Sequence, residues 1–199
     1  IPSVYEGLPV LTSEQMRALD RLATEQRGIP ALDLMENAGK AVAAETAAFL
    51  KRQGKEAGVA TVVVCCGRGA NGGDGLVAAR HLAGMGAMAA VFLCPPKKDS
   101  VYPELVRINL QKARAAGVRV TEASESAGLA AALASCDLVL DALLGTGSSG
   151  QPAGAIHHMI QELARAKKPG IAVAMPSGID PDTGHPGSVF VPAALTLTL

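Results

Sequence analysis

The chain has no tryptophan, and only two tyrosines and three phenylalanines in 199 residues. Charge of either sign is not in excess, since 18 Lys+Arg offset 18 Asp+Glu. With no basic stripe and no interleaved aromatics, electrostatic binding to nucleic acid or to an anionic membrane surface is disfavoured. Small molecules are the expected partners. No apolar run approaches the ~18 residues of a membrane span, and IPSVYEGLPV at the start lacks the basic and apolar segments of a secretory signal. The expected compartment is therefore the cytoplasm. Cysteine is sparse, at four: Cys65 and Cys66 are neighbours that point to opposite faces of a strand, while Cys94 and Cys136 are isolated. Neither a zinc spacing nor a disulfide framework emerges, and free thiols are expected. Also missing are the Gly-Lys-Ser/Thr ending of a Walker loop and a G-x-S-x-G nucleophile elbow. There is no initiator methionine at Ile1, so the sequence reads as a fragment or a trimmed piece.

What is present is ample apolar material, 49% of residues, enough for one sizeable core in a single domain over residues 1–199. Leu11-Thr12-Ser13-Glu14-Gln15-Met16 reads as a helix start, with Thr12 as cap, Gln15 completing a capping box and Leu11 stapled to Met16. That helix is expected to run to about Arg27. After Gly28-Ile29-Pro30 a second helix carries Leu32, Met35, Ala38, Val42 and Phe49 at near-helical spacing. From residue 60 short apolar runs take over at 61–66, 89–94, 118–123, 137–143 and 170–175. Continuous rather than alternating apolarity is what strands covered on both faces require. Helices are expected between them at Gly75–Ala83, Val101–Ala116, Ala127–Leu133 and Ala153–Ala166. TLTL at 196–199 reads as the start of a further strand, cut short. The expected fold class is α/β: a three-layer α/β/α sandwich, Rossmann-like, with a mostly parallel sheet and N-terminal helices.

In such a sheet ligands bind beyond the carboxyl ends of the strands. Three loops rich in glycine and polar residues fall there: GRGANGGDG (67–75), DALLGTGSSG (141–150) and MPSGIDPDTG (175–184). The first contains G-x-G-x-x-G at Gly67, Gly69 and Gly72. A dinucleotide fingerprint also needs an acid about 20 residues on; here that strand ends Cys94-Pro95-Pro96 with two lysines, and the first acid is Asp99. The fingerprint is incomplete. Asp74 stands where the next helix is expected to begin, where it would cap the helix and repel a docked pyrophosphate. Asp141 ends an apolar strand and reads either as a solvent-exposed strand terminus or as a carboxylate aimed into the edge crevice; Gly145-Thr146-Gly147, which frees backbone N–H groups, favours the second. Asn71, Asp141 and Ser177 form an oxygen-rich set suited to a hard cation. His157 and His158, adjacent on a helix, diverge around it and make poor metal ligands.

LTSEQMRALDRLA, LMENAG, GRGANGGDGLVAARHL, LVLDALLGTG and MPSGIDPDTG, in this order from about Leu11 to Leu199, resemble the NAD(P)HX epimerases, the YjeF N-terminal domain family. The resemblance implies a Rossmann-like α/β/α sandwich, a homodimer, and interconversion of the R and S forms of hydrated NADH or NADPH. A partner NAD(P)HX dehydratase, as a separate protein or a following domain, then repairs the S form. The dinucleotide is thus substrate, not redox cofactor. Carried onto this sequence, the family's N-N-G-G-D substrate loop falls on Ala70, Asn71, Gly72, Gly73 and Asp74. Its second substrate loop falls on Gly145, Thr146, Gly147, Ser148, Ser149, Gly150 and Gln151, and its potassium ligands on Asn71, Asp141 and Ser177. Asp74 and Asp141 are the candidate acid-base groups.

The pattern breaks at three alanines. Ala70 stands where the family has asparagine. Ala174, in Val173-Ala174-Met175-Pro176-Ser177-Gly178, stands where the family has an aspartate that contacts substrate; a methyl group neither accepts a hydrogen bond nor moves a proton. Ala194 replaces a third polar residue. Three such losses suggest an altered site, and the alternative to an epimerase is a non-catalytic nucleotide- or RNA-binding, or dimerisation, module of the same fold.

Overall fold

A computed structural model describes residues 4–5, 7–123 and 127–199; positions 1–3 and 6 of IPSVYEGLPV lie outside them. Two helices open the main body: α1, Ser13–Glu25, and α2, Ala31–Arg52. The capping box that begins α1 forms as its sequence predicts, Gln15 N–H donating to Thr12 Oγ1 and the Thr12 N–H to Gln15 Oε1. Ahead of α1, Val4–Tyr5 (β1) and Leu8–Pro9 (β2) pair as a short antiparallel ladder that no periodicity announces.

The six-stranded sheet comprises β3 (Thr61–Cys66), β4 (Met88–Leu93), β5 (Arg119–Glu122), β6 (Leu138–Ala142), β7 (Gly170–Val173) and β8 (Leu195–Leu197). Their spatial order is β5-β4-β3-β6-β7-β8, and every pairing is parallel. All five predicted runs become strands, each within two residues of its expected ends, and TLTL contributes the outermost strand. The chain winds outward from β3 in one direction, then returns to β6 and winds outward in the other. The switch between β3 and β6 opens a crevice beyond their carboxyl ends.

Both faces of the sheet are covered, and β3 shows why its run is unbroken. Val62, Val64 and Cys66 join Val42, Leu76, Leu82 and Val106 on one side, beneath α2, α3 (Ala70–Gly84) and α4 (Glu104–Ala115). Val63 and Cys65 join Leu129, Leu133, Ile156 and Ile160 on the other, beneath α5 (Ala127–Ser135) and α6 (Gly154–Ala166). The two adjacent cysteines thus face opposite layers, both fully buried. Removing a side chain such as Leu82 or Ile160 down to alanine would cost about 2–5 kcal/mol, the usual range for emptying a core position.

One expected boundary is wrong in an informative way. The helix expected from Gly75 begins at Ala70. Glycine costs ~1 kcal/mol per helical position relative to alanine, which is why Asn-Gly-Gly-Asp-Gly reads as a loop. Tertiary packing reverses that preference, because a Cβ on Gly75 would meet Ala142 Cβ at 2.6 Å and Cys66 Sγ at 2.8 Å, and one on Gly73 would meet Met35 Sδ at 2.5 Å. Only a helix without side chains there fits between the sheet and α2.

Candidate functional site

The two loops at the switch point touch. A Cβ on Gly67 would run into the backbone carbonyl of Leu143, and one on Gly72 into the carbonyl of Gly67. The Gly67 N–H donates to the Ala142 carbonyl at 2.8 Å. Gly67 and Gly72 are therefore packing glycines that let the carboxyl ends of β3 and β6 and the start of α3 close on one another. Gly69 differs: it is the N-cap of α3 in an extended conformation, nothing lies within 4 Å of the position a Cβ would take, and no side chain caps the helix. The amino terminus of α3 is left open toward the crevice, a place where backbone N–H groups and the helix dipole favour an anion.

Asp74 does not cap this helix. It lies in the helix body, because α3 starts four residues earlier, so its carboxylate does not block a phosphate at the amino terminus as the sequence suggests. It is half-buried, and burial, reinforced by the charge of Asp20 on α1, pushes its carboxyl up to about 7.

Asp141 is the fourth residue of β6 and is fully buried. Its Oδ1 accepts from Ser177 Oγ at 2.6 Å and from the Leu143 N–H at 3.2 Å, and its Oδ2 accepts from the Ser177 N–H at 2.8 Å. Burial pushes this carboxyl up to about 6 against the pull of those three donors. Ser177 Oγ in turn accepts from the Leu144 N–H at 2.9 Å, tying the loop after β7 to the loop after β6. Next along the chain, Gly145 makes room for Asn71: a Cβ on Gly145 would lie 3.1 Å from Asn71 Cβ and 3.4 Å from its Oδ1. Asn71 is 8% exposed, and neither Oδ1 nor Nδ2 has a hydrogen-bond partner among the described residues. A buried amide with both ends unpaired costs ~1–3 kcal/mol per group, so it marks a place where something else completes the set. The structure thus ties Asp141, Ser177 and Asn71 to the consecutive residues Leu143, Leu144 and Gly145.

The rest of the second loop, Thr146 to Gln151, is partly exposed and held from within: Ser148 Oγ donates to the Gly145 carbonyl at 2.7 Å, and Gln151 Oε1 accepts from the Ser188 N–H at 2.9 Å. Ala70 is the first residue of α3 and exposed. Ala174 follows β7 with φ of 65°, its N–H donating to the Leu197 carbonyl at 2.8 Å. This left-handed turn sends Met175-Pro176-Ser177 back toward Asp141. Asparagine and aspartate enter that region more readily than alanine, so the backbone at 174 suits the residue type the family carries there better than the one present. Ala194 is elsewhere: its N–H bonds the carbonyl of Gly170, the first residue of β7, at the amino edge of the sheet. It is not part of the crevice, so the altered-site reading rests on Ala70 and Ala174. The rings of His157 and His158 do not diverge as expected but meet edge to face, 6.0 Å between centroids.

Three residues that sequence reasoning passed over also reach this edge, all from α1. The Ser13 N–H donates to Asp182 Oδ1 at 2.8 Å, Arg17 Nη1 donates to the Thr146 carbonyl at 3.2 Å, and Asp20 acts on Asp74. Their spacing, i, i+4 and i+7, is the signal that could have found them: it sets one polar stripe along the helix.

Among known proteins, the family described as YjeF-related protein N-terminus matches residues 31–199, a span that leaves out α1. The chain is 37% identical to the bifunctional NAD(P)H-hydrate repair enzyme Nnr of Thermofilum pendens, covering 96% of this chain and 35% of that protein. It is 35% identical to the NAD(P)H-hydrate epimerase of Pirellula staleyi, covering 92% of this chain and 78% of that protein. The chain thus spans about a third of the length of the bifunctional relatives it matches. In three dimensions it superposes on the crystal structure of yeast ynu0 with a TM-score of 0.84 at 27% identity, over 96% of this chain and 80% of that one.

Proposed function

The chain belongs to the family of YjeF-related protein N-terminal domains, and on that premise we propose that residues 1–199 act as one domain that interconverts the R and S forms of hydrated NADH and NADPH. The observation that carries the reading is the crevice at the β3–β6 switch. There an open helix terminus suited to phosphate lies beside a buried carboxylate, Asp141, and the unpaired amide of Asn71.

In this reading the nucleotide phosphates meet the N–H groups at the start of α3, beside the open position of Gly69. The Gly145–Gln151 loop covers the other side. Asp74, pushed up to about 7, is divided between its two protonation states near neutral pH, which suits a group that takes a proton and returns it. Asp141 is the second acid-base candidate, held in place by its three donors.

The donor set fits potassium. An amide oxygen, a carboxylate and a hydroxyl are hard ligands; the unpaired Asn71 Oδ1 has a free lone pair, and Asp141 has only three of about four acceptor positions filled. Asn71, Asp141 and Ser177 would hold the ion, and its charge would steady the buried carboxylate and nearby phosphate. The finer assignments, a homodimer, a cytoplasmic setting and a dehydratase as partner, belong to the same proposal. No helix among the described residues is long and apolar enough to cross a membrane.

A coupled assay tests the reading. R-form substrate is supplied with an S-specific dehydratase, and its consumption should accelerate when this chain and potassium are added. Ala174→Asp should accelerate it further. No acceleration by either form would leave the competing reading, a non-catalytic nucleotide- or RNA-binding module, which Ala70 and Ala174 favour; calorimetry with ADP-ribose against single-stranded RNA would then identify the ligand.

A further inference from the structure

We infer that α1 is a wall of the nucleotide site and that Arg17 is a ligand-contacting residue there, its guanidinium meeting the diphosphate of the bound nucleotide. The inference rests on the nucleotide reading above. Its first support is that α1 meets the crevice edge through polar groups and has no fully buried apolar side chain. Leu19 is 48% and Leu22 is 42% exposed, and Ser13 is the one buried residue of the helix. Arg17 and Asp20, on the same stripe as Ser13, are exposed. The stripe reaches two of the three loops at the carboxyl edge, at Asp182 after β7 and at Thr146 after β6, and the charge of Asp20 acts on Asp74 in α3.

The second support is the state of Arg17 itself. Among the described residues it forms no ion pair, and its one hydrogen bond goes to a neutral carbonyl, that of Thr146. An arginine whose planar fork is engaged by a single backbone oxygen keeps donors available for a diphosphate, which it can grip in bidentate fashion. The anion it would meet has its other contacts already laid out at the uncapped start of α3, beside the buried and unpaired Asn71 amide. Asp20 and Asp182 are the acids nearby; Asp182 is engaged by the Ser13 N–H, and the charge of Asp20 acts on Asp74. With no apolar side chain fully buried, α1 is also free to adjust as a ligand enters.

Titration calorimetry on the whole chain with ADP-ribose and with adenosine, for wild type and Arg17→Ala, tests this. Loss of a charge-assisted contact predicts about 10- to 100-fold weaker ADP-ribose binding in the variant, with adenosine binding unchanged. Amide exchange in residues 13–25 of the wild type should slow when ADP-ribose is added, a readout that does not depend on the variant. Arg17→Lys, which keeps the charge but loses the fork, should fall between the two. If wild type and Arg17→Ala bind ADP-ribose equally and exchange in α1 is unaffected, the inference is overturned while the nucleotide site stands. If the wild type binds no ADP-ribose, both are overturned.

Discussion

Asp74→Asn separates the cost of burying a charge from the other properties of the crevice. The carboxyl is pushed up to about 7 from an ordinary value of 3.8, first by burial and then by Asp20. Between those two values the folded chain binds more protons than the unfolded one, so this group makes stability fall as pH climbs from about 4 to about 7, and the loss is complete above that. Roughly three pH units at 1.36 kcal/mol each correspond to about 4 kcal/mol in a dry site. The side chain is half-buried, and solvent screening brings the expected cost to about 2 kcal/mol. Asparagine has the same shape without the charge. At about pH 8.5 the variant should be more stable by that amount, and at about pH 4 the two should match. In urea, with a slope of ~2–3 kcal/mol/M for a chain of this size, the midpoint should rise by about 1 M at the higher pH and stay put at the lower. Epimerase activity should drop in the same variant, because the proton carrier is gone while the fold is firmer. A midpoint shift independent of pH would show that the gain came from packing or helix propensity. No shift at about pH 8.5 would refute the buried charge altogether.

Gly67→Ala drives a methyl group into the backbone of Leu143 and should cost ~3 kcal/mol or more, whereas Gly69→Ala meets nothing and should stay within ~1 kcal/mol; thermal melts of the pair check this. At Ala174, with φ of 65°, Ala174→Asn should raise stability by ~0.5–1 kcal/mol because asparagine tolerates the left-handed region better than alanine; a lower melting temperature would contradict the strain. Ala174→Asp should raise kcat by ~10²- to 10⁴-fold if the restored carboxylate moves a proton, and a change confined to KM would limit it to binding. Exchanging potassium for tetramethylammonium at fixed ionic strength should lower the melting temperature of the wild type but not of Asn71→Ala, since an ion bound only by the folded state stabilises it by mass action.

The sheet was legible because strands buried on both faces cannot alternate, and Val62 through Cys66 or Leu138 through Ala142 could serve no other element of that length. The meeting of Asp141 and Ser177 was legible as well, since one ends a strand and the other follows one at the same edge of the sheet. Two features were not, and both failed for one physical reason: a local rule was overruled by contacts distant in sequence. Helix propensity places Asn71-Gly72-Gly73-Asp74 in a loop, but Met35, Gly67 and Ala142 leave space only for a helix without side chains. That displaces Asp74 from the helix terminus and opens the terminus to an anion. No local pattern in α1 announces that Ser13 and Arg17 meet the loops at Asp182 and Thr146 while Leu19 and Leu22 stay exposed. In each case the local preference is given up at the crevice, which is the pattern expected where sequence serves a ligand rather than the fold alone. The exposed leucines of α1 are then a cost of placing Arg17 beside Thr146, and the calorimetric comparison of wild type with Arg17→Ala decides whether that cost is matched by affinity for a diphosphate.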